Sequence, residues 1–400
     1  MSDGVSERSL LAAASGIAKI ESGRITLDDF LDREAPADCR KIVGHLLFAY
    51  FRHRKFIRLV VAKRVPRTPR REVETLLLAA VSRILFQTGS AAASAVNVAV
   101  EAAKHYRADK FFNAVLRSVA REMPAPPAPV EELPDALLAI WEKEFTPENL
   151  AMLAGLIQTP APVTFRLLGA AELPLEAPAV PLASPGNFRF FATENPEYFL
   201  DHGMVQRGEI YFQDPATAGV IAMAQFSSVQ SVLDAGSAPG GKSLMLREKL
   251  PPDARLVALD RSAARQERTK ENFARARCDG EIRVGDIREC REKFDLVLVD
   301  APCGNSGVFR RRPDAMLRFN AAQLAELAQL QYELLEAAAR AVNPGGQLLY
   351  STCSIEQMEN TAVVENFLAA HPEFRLQQAE IFLPEAFRDG AGAAHFIKEA

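Results

Sequence analysis

Asp300-Ala-Pro-Cys303 and Ser351-Thr-Cys-Ser354 are the two stretches that decide the fold of this chain. Each follows an apolar run typical of a buried strand, Phe294-Asp-Leu-Val-Leu-Val299 and Gly346-Gln-Leu-Leu-Tyr350, and a helical pattern from about Ala321 to Val342 separates them. A strand, a crossover helix and a second strand form a right-handed parallel unit. We therefore expect the cysteines of both stretches at the carboxyl edge of one sheet, where open α/β sheets bind ligands.

The rest of the 400 residues divides by pattern into four parts. Residues 1–123 carry apolar positions at helical spacing and predict an all-helical domain. The prolines of residues 124–134 predict a semi-rigid linker. A small α+β segment is expected over 135–210, with a helical pattern around Trp141 to Ile157 and strands at Thr164–Leu168 and Phe188–Phe191. Strands alternating with helices predict a doubly wound α/β domain over 211–400.

Cysteine and histidine usage bears on compartment and on metal binding. The five cysteines are an odd number without a C-x-x-C pair, and the six histidines show no ligand spacing. Both facts disfavour a disulfide framework and a metal site. No apolar run approaches the roughly 18–20 residues of a membrane span, and the first residues lack the pattern of a secretory signal. We expect a cytoplasmic monomer without a metal and without a membrane segment.

The net charge of −4 is distributed unevenly. Residues 1–125 hold 21 Lys and Arg against 13 Asp and Glu, so this part is basic (+8) and the remainder is acidic (−12). Within the basic part, Arg40 to Arg71 contains eleven basic residues and no acidic one. Such a block is either a nucleic-acid footprint or a solvated helical face, and charge alone does not separate the two.

A glycine-rich loop after the strand Val232–Asp234 allows two interpretations. Gly236-Ser-Ala-Pro-Gly-Gly-Lys-Ser243 fits the phosphate-binding pattern G-x-x-x-x-G-K-[ST], so a P-loop NTPase is one candidate. Pro239 argues against it, because it lacks an N–H in the turn whose amides should cradle phosphate. Asp260 ends the next strand, where a carboxylate can accept hydrogen bonds from the ribose of a nucleoside cofactor. Asp286 follows a further strand and supplies a second carboxylate.

Three motifs resemble those of the Sun-family RNA cytosine-5 methyltransferases of the RsmB type. They are Asp234-Ala-Gly-Ser-Ala-Pro-Gly-Gly-Lys242, then Asp300-Ala-Pro-Cys-Gly-Asn-Ser-Gly-Val308 with Arg311-Arg-Pro-Asp314, and Ser351-Thr-Cys-Ser354 with Glu359-Asn360. The basic helical start resembles the antitermination factor NusB. The resemblance implies a Rossmann-like class I S-adenosylmethionine-dependent methyltransferase domain after a NusB-like RNA-binding domain and a small RRM-like segment.

The resemblance also implies roles for individual residues. It implies that Cys353 is the nucleophile and that Cys303 assists later. Asp300, at the same strand end as Cys303, could hydrogen-bond or protonate the cytosine ring. The positions that the resemblance implies for the cofactor S-adenosylmethionine are Gly236, Ser237, Ala238, Pro239, Gly240, Gly241, Lys242, Asp260, Asp286 and Asp300. Gly236 stands where the family often has cysteine, and the end of the chain, Asp389 to Lys398, lacks the family's usual aromatic pair.

The implied reaction explains why two thiols are present. Carbon 5 of cytosine becomes nucleophilic only after a thiolate adds at carbon 6, which is covalent catalysis. A second group is then needed to permit release. The implied substrate is small-subunit ribosomal RNA, with transfer RNA as an alternative. The competing functions are the P-loop NTPase and a non-catalytic RNA-binding assembly or antitermination factor, which would have no need of Cys353.

Overall fold

The computed structural model describes residues 3–87 and 91–400. The chain forms two compact units. The first, called the helical unit below, extends to Pro160 and also includes Phe309–Phe319. The second, called the sheet unit, consists of Ala161–Val308 and Asn320–Ala400. Within the predicted helical domain 1–123, residues 1, 2 and 88–90 lie outside the described ranges.

Helices build the helical unit, as the apolar spacing predicts. Thr75 to Ile84 is buried without a break, so the helix that carries these residues forms the centre of the unit and the others pack around it. The helices are α1 (Asp3–Glu21), α2 (Leu27–Arg33), α3 (Arg40–Arg52), α4 (Arg54–Ala62), α5 (Arg71–Phe86), α6 (Ala92–Ala103), α7 (Asp109–Glu122), α8 (Pro129–Glu132), α9 (Asp135–Glu144) and α10 (Pro147–Ile157).

The helical pattern around Trp141 to Ile157 is divided between α9 and α10. Pro147 occupies the first turn of α10, and the Thr146 side chain accepts a hydrogen bond from the backbone N–H of Asn149. A capping threonine followed by proline starts a new helix and cannot continue the previous one. The signal for the break was therefore present in the sequence.

Residues 309–319 fold with the helices although they follow the Cys303 motif in the chain. The ring of Phe309 lies against Trp141 and Phe319, with centroid distances of 6.1 and 5.5 Å. The buried Asp314 carboxylate accepts a hydrogen bond from the N–H of Leu27, the first residue of α2. Aromatic packing and a carboxylate at a helix start both stabilise this arrangement.

Two sheets build the sheet unit. The smaller is antiparallel in the order β2-β3-β1-β4, with β1 (Val163–Leu167), β2 (Val180–Leu182), β3 (Phe190–Thr193) and β4 (Ile210–Phe212). It packs with α11 (Pro196–Asp201) around Phe165 and Phe199, whose ring centroids lie 4.6 Å apart. The predicted strands at Thr164–Leu168 and Phe188–Phe191 correspond to β1 and β3.

The larger sheet has the order β10-β11-β9-β8-β5-β6-β7. Strands β9-β8-β5-β6-β7 pair in parallel, and β11 pairs antiparallel with both β9 and β10. This topology and the helical region before it confirm the predicted fold class. The elements are α12 (Ala218–Ala222), β5 (Ser231–Ala235), α13 (Gly241–Lys249), β6 (Arg255–Asp260), α14 (Ala263–Ala276), β7 (Glu281–Val284), β8 (Phe294–Asp300), α15 (Ala321–Arg340), β9 (Val342–Thr352), α16 (Thr361–Ala370), β10 (Phe374–Phe382) and β11 (Ala391–Lys398).

The compact units divide the chain differently from the boundaries predicted at 123, 134 and 210. The division falls at Pro160, because α9 and α10 pack with the helical unit. The proline-rich stretch 124–134 contains the single-turn helix α8. Among the described residues, no helix is long and apolar enough to cross a membrane.

Trp141 provides a test of the packing of the helical unit. Its side chain is fully buried, and its ring contacts Phe145 and Phe309. Trp141→Ala should lower the free energy of unfolding by about 3–5 kcal/mol, the usual cost of deleting a large buried aromatic ring. Trp141→Phe should lower the free energy of unfolding clearly less than Trp141→Ala does, because an aromatic ring remains in the core. Urea unfolding followed by circular dichroism measures both, and a loss below about 1 kcal/mol for Trp141→Ala would contradict this packing.

Candidate active site

The parallel pairing of β8 and β9 brings the two cysteine segments together. Asp300 lies opposite Ser351 in the register, and the N–H of Ala301 donates to the Ser351 carbonyl over 2.9 Å. Just beyond, the Sγ atoms of Cys303 and Cys353 lie 2.8 Å apart, and both residues are half-buried. The geometry therefore places the two predicted thiols in one site at the carboxyl edge of the sheet.

Asn305 is a third group in contact with the thiols, and sequence reasoning missed it. Its backbone is left-handed (φ 62°), a conformation that asparagine tolerates better than most residues. Its Nδ2 donates to the carbonyl of Cys303 over 2.9 Å, so its Oδ1 faces Cys353 and accepts from that thiol over 3.2 Å. The turn-forming residues after Cys303 were the available signal.

Gly307 allows the loop after Cys303 to lie directly against Cys353. Its N–H donates to the Cys353 carbonyl over 2.9 Å. A Cβ atom at this position would lie 2.8 Å from that oxygen and 2.3 Å from the carbonyl oxygen of Gly390. Only glycine fits such a close approach of three backbone segments.

The surroundings of Cys303 disfavour its ionised form. The hydrogen bond with Cys353 and burial raise the pKa of the Cys303 thiol well above its usual value, and the Glu359 carboxylate adds to the effect. A thiol with a raised pKa remains protonated and is a poor nucleophile at neutral pH. The sulfur of Cys303 is therefore held as a protonated thiol in this arrangement.

Lys242 and Asp300 form an ion pair at the same edge. The distance from Nζ to Oδ2 is 2.8 Å, and the lysine side chain is only 15% exposed. Burial opposes the charge, but Asp300 raises the pKa of Lys242, and Cys353 contributes in the same direction. The predicted catalytic carboxylate thus lies beside a fixed cation that is within electrostatic range of a thiol.

The backbone amides of the glycine loop point into the protein. The N–H groups of Gly236 and Ser237 both donate to the Leu259 carbonyl, over 2.8 and 3.1 Å. That of Ala238 donates to the Asp260 carboxylate, and that of Gly240 to the carbonyl of Ser237. A phosphate cradle needs these amides to face the ligand. Although the sequence fits the pattern, residues 236–240 do not form a phosphate-binding loop.

The two further aspartates predicted at the cofactor site lie at strand ends. Asp260 is buried, and its carboxylate accepts from the N–H groups of Ala238 (3.3 Å) and Ser262 (2.8 Å). Asp286 caps a short helical turn and pairs with Arg288, whose hydrogen bond lowers the pKa of Asp286 despite partial burial. The contacts of Asp286 are thus those of a residue that caps a turn, and Asp260 joins the glycine loop to β6.

Two features of this edge fit a nucleoside cofactor. Gly236 has φ 82°, and a Cβ there would lie 2.4 Å from the carbonyl oxygen of Asp300, so only glycine lets the backbone turn sharply against the end of β8. Beneath the turn, Asp234 is fully buried and its Oδ1 has no hydrogen-bond partner in the described structure. S-adenosylmethionine carries hydrogen-bond donors, and a buried acceptor without a partner is unfavourable.

Comparisons with known proteins match two parts of the chain to sequence models of known families. Residues 222–397 match the sequence model for 16S rRNA methyltransferases RsmB/F, and residues 11–121 match that of the NusB family. Residues 222–397 belong to the RsmB/F methyltransferase family. RsmB/F methyltransferases depend on S-adenosylmethionine, which confirms the predicted cofactor.

Individual relatives agree with this assignment of the RsmB/F domain. A ribosomal RNA small subunit methyltransferase B from Cronobacter sakazakii is 37% identical over 176 residues, which cover 43% of this chain and 41% of that protein. The chain thus spans less than half the length of the curated relatives that it matches. The crystal structure of PH0851 matches 98% of this chain and 99% of that one, with a TM-score of 0.79 and 23% identity. NSun6 from Pyrococcus horikoshii, solved with SFG, matches 67% of this chain and 98% of that one, with a TM-score of 0.57 and 17% identity.

Most of the basic block in the NusB-like region is engaged within the helical unit. Arg54 and Arg58 pair with Glu21, and Arg64 pairs with Glu122. These acids lie outside the block in sequence, so counting charges along the chain overestimated the positive surface. The exposed basic side chains of the block include Arg40, Lys63, Arg67, Arg70 and Arg71, which are not part of these three ion pairs.

No group of three or more potential metal ligands is found among the described residues, which include the RsmB/F domain.

The buried Asp234 beneath the glycine loop gives the RsmB/F domain a measurable pH dependence. Burial raises the pKa of Asp234 to about 7, although the Ser243 hydroxyl donates to it. The folded state keeps this proton up to about pH 7, whereas an unfolded aspartate loses it near pH 4. Because the folded state binds more protons in this interval, stability falls as the pH rises from 4 to 7.

Asp234→Asn should abolish this component, since an amide does not titrate and can still accept from Ser243. Between pH 4 and pH 7, the free energy of unfolding of the wild type should fall by on the order of 1–4 kcal/mol more than that of the variant. Urea unfolding at pH 5 and pH 7.5 without cofactor measures the difference. Equal pH dependence of the two proteins would contradict a protonated Asp234.

Proposed function

We propose that this protein is an S-adenosylmethionine-dependent RNA methyltransferase that forms 5-methylcytosine, with small-subunit ribosomal RNA as substrate. The observation that carries the proposal is the contact of Cys303 and Cys353, 2.8 Å apart at the edge of the sheet that also carries the glycine loop. The relatives named for small-subunit ribosomal RNA support the substrate. Transfer RNA is the alternative substrate.

Cys353 is proposed as the nucleophile. Its sulfur, after losing its proton to solvent, forms a bond to carbon 6 of cytosine, and the ring electrons move so that carbon 5 becomes nucleophilic. The bound cofactor supplies an electrophilic methyl group. The Lys242 cation lies within electrostatic range of Cys353, and Asp300 can hydrogen-bond the ring.

Cys303 is proposed to act after methyl transfer. The charge on Cys353 is one of the causes that keep the pKa of Cys303 high. Once the Cys353 sulfur is bound to carbon 6, that charge is gone, so Cys303 ionises more readily. Its thiolate can then take the proton from carbon 5, the bond between sulfur and carbon 6 breaks, and Cys353 leaves as thiolate. Through this electrostatic coupling, Cys353 is proposed to react first and Cys303 second.

The base must leave any helical stack to reach thiols at this edge. Affinity for the remaining RNA is proposed to come from the exposed cations of the NusB-like region, through phosphate contacts with little sequence preference. The reduced number of exposed charges means that this contribution is smaller than eleven cations would give.

Cofactor binding is proposed for the loop Gly236 to Lys242 together with Asp260, Asp286 and Asp300. Asp260 already accepts two backbone N–H groups, and a carboxylate retains further lone pairs for ribose hydroxyls. The NTPase alternative is disfavoured by the inward amides of residues 236–240. A non-catalytic RNA-binding factor would leave the contact of two thiols unexplained.

Substitution of each cysteine tests the chemistry. Cys353→Ala should abolish 5-methylcytosine formation and leave no covalent complex with RNA. Cys303→Ala should methylate once and stall, because release fails, and should accumulate an adduct that survives denaturing electrophoresis. Bisulfite sequencing of ribosomal and transfer RNA after reaction reports the base and the substrate.

Cys39→Ala, at a buried cysteine of the helical unit, is the matched control and should remain active. An adduct with Cys353→Ala but not with Cys303→Ala would mean that the roles are reversed. Full activity of Cys353→Ala would refute covalent catalysis by this residue.

The cofactor assignment is tested at Asp260. Asp260→Ala should weaken S-adenosylmethionine binding by about 1.5–3 kcal/mol, the range for hydrogen bonds to a charged group. Asp279→Ala, an exposed carboxylate of the same unit, is the control and should bind normally. Calorimetry on folded proteins gives the affinities, and an unchanged affinity for Asp260→Ala removes Asp260 from the site.

A further inference from the structure

One buried carboxylate holds the backbone beside both thiols. The Glu359 side chain lies just before α16 and is fully buried. Its Oε1 accepts from the Ser354 hydroxyl over 2.7 Å, and its Oε2 from Gln331 Nε2 over 2.6 Å. The N–H of Gly304 points at both oxygens, over 3.1 and 2.9 Å.

Two of the donors to the Glu359 carboxylate directly follow the two cysteines in the chain. Gly304 directly follows Cys303, and Ser354 directly follows Cys353. Gln331 also donates to the carbonyl of Pro302, the residue before Cys303, over 2.9 Å. We infer that Glu359 is a positioning residue for methyl transfer, whose carboxylate fixes the Cys303 loop relative to the Cys353 loop. This inference rests on the proposed function, in which both thiols act on one base.

The carboxylate is suited to this task because it accepts from several directions at once. Tyr350 on β9 donates from its hydroxyl to the Glu359 carbonyl over 2.7 Å and so fixes the backbone as well. Burial raises the pKa of Glu359, while the donors from Ser354, Gly304 and Gln331 act in the opposite direction. Removing the carboxylate would leave those buried donors without an acceptor, which is costly.

The thiol contact depends on the relative position of the two loops. Besides the contact between the sulfurs, the N–H of Cys353 donates to the Cys303 sulfur over 3.2 Å. Both contacts tolerate displacements of only a few tenths of an ångström. A misplacement of about 1 Å in a reacting group can cost roughly 10²-fold in rate.

A graded set of substitutions separates positioning from folding. Glu359→Ala removes every hydrogen bond that the carboxylate accepts. Ser354→Ala removes only the hydrogen bond that the Ser354 hydroxyl donates from the Cys353 loop. Glu359→Gln keeps one acceptor oxygen and serves as the conservative variant. Glu365→Ala is the control, because Glu365 is an exposed carboxylate on the adjoining helix α16. Thermal unfolding of each full-length protein establishes that it is folded.

The first readout is single-turnover methyl transfer at saturating RNA and cofactor. Glu359→Ala should lower this rate by about 10²-fold and Ser354→Ala by about tenfold, with S-adenosylmethionine affinity within about twofold of wild type. Glu359→Gln should lie between Glu359→Ala and wild type. Glu365→Ala should match wild type. A folded Glu359→Ala protein with the wild-type rate overturns the inference.

The second readout needs neither RNA nor cofactor. Phenylarsine oxide condenses with two neighbouring thiols, forming two As–S bonds and releasing water, so its binding reports whether the sulfurs of Cys303 and Cys353 stay close. Wild type should bind it, Cys303→Ala should not, and Glu359→Ala and Ser354→Ala should bind more weakly. Unchanged binding by Glu359→Ala refutes the positioning role.

The two proposals fail in different ways. Retained methylation by Cys353→Ala refutes the proposed function, whereas retained arsenical binding by Glu359→Ala refutes the inference about Glu359.

Discussion

The parallel pairing of β8 with β9 is the constraint on which the rest of the site depends. The register Asp300 opposite Ser351 makes both strands end at the same height of the sheet, so the residues that follow them have to share one edge. The crossover through α15 is long enough to permit this pairing and carries Gln331 to the loop before Cys303. Once the register is set, short-range contacts determine which groups meet.

The thiol pair and the glycine loop are then two consequences of one sheet. Strand β5 lies between β8 and β6, so the loop after β5 opens beside the cysteine segments. The ion pair between Lys242 of that loop and Asp300 at the end of β8 joins the two regions. A cation, a carboxylate and two sulfurs therefore come from three separate segments of the chain, at Lys242, at Asp300 to Cys303 and at Cys353, and no single stretch contains the site.

How much of this could be predicted from the sequence depends on the range of the interactions. The strands that carry the site and the helix α15 were predictable from apolar runs, and so was the meeting of Cys303 with Cys353. The direction of the amides in the glycine loop was not, because it depends on the carbonyl of Leu259 on another strand. The contact of Asn305 with a thiol depends on backbone dihedral angles that composition only suggests. The neutralised charges of α4 were missed because Glu21 is more than thirty residues away in sequence.

The membership of residues 309–319 in the helical unit has a practical consequence for anyone who divides this protein. Because the first unit is discontinuous, no single cut in the chain yields the helical unit intact, and a cut after Pro160 leaves Phe309–Phe319 attached to the sheet unit. A fragment that starts after Pro160 would keep Phe309 and Phe319 but lose Trp141, the ring against which Phe309 packs. Such a fragment would present uncovered aromatic surface and would tend to aggregate. Aggregation of a fragment that starts after Pro160 would then be caused by Phe309–Phe319, eleven residues that have lost their packing partners. It would carry no information about catalysis.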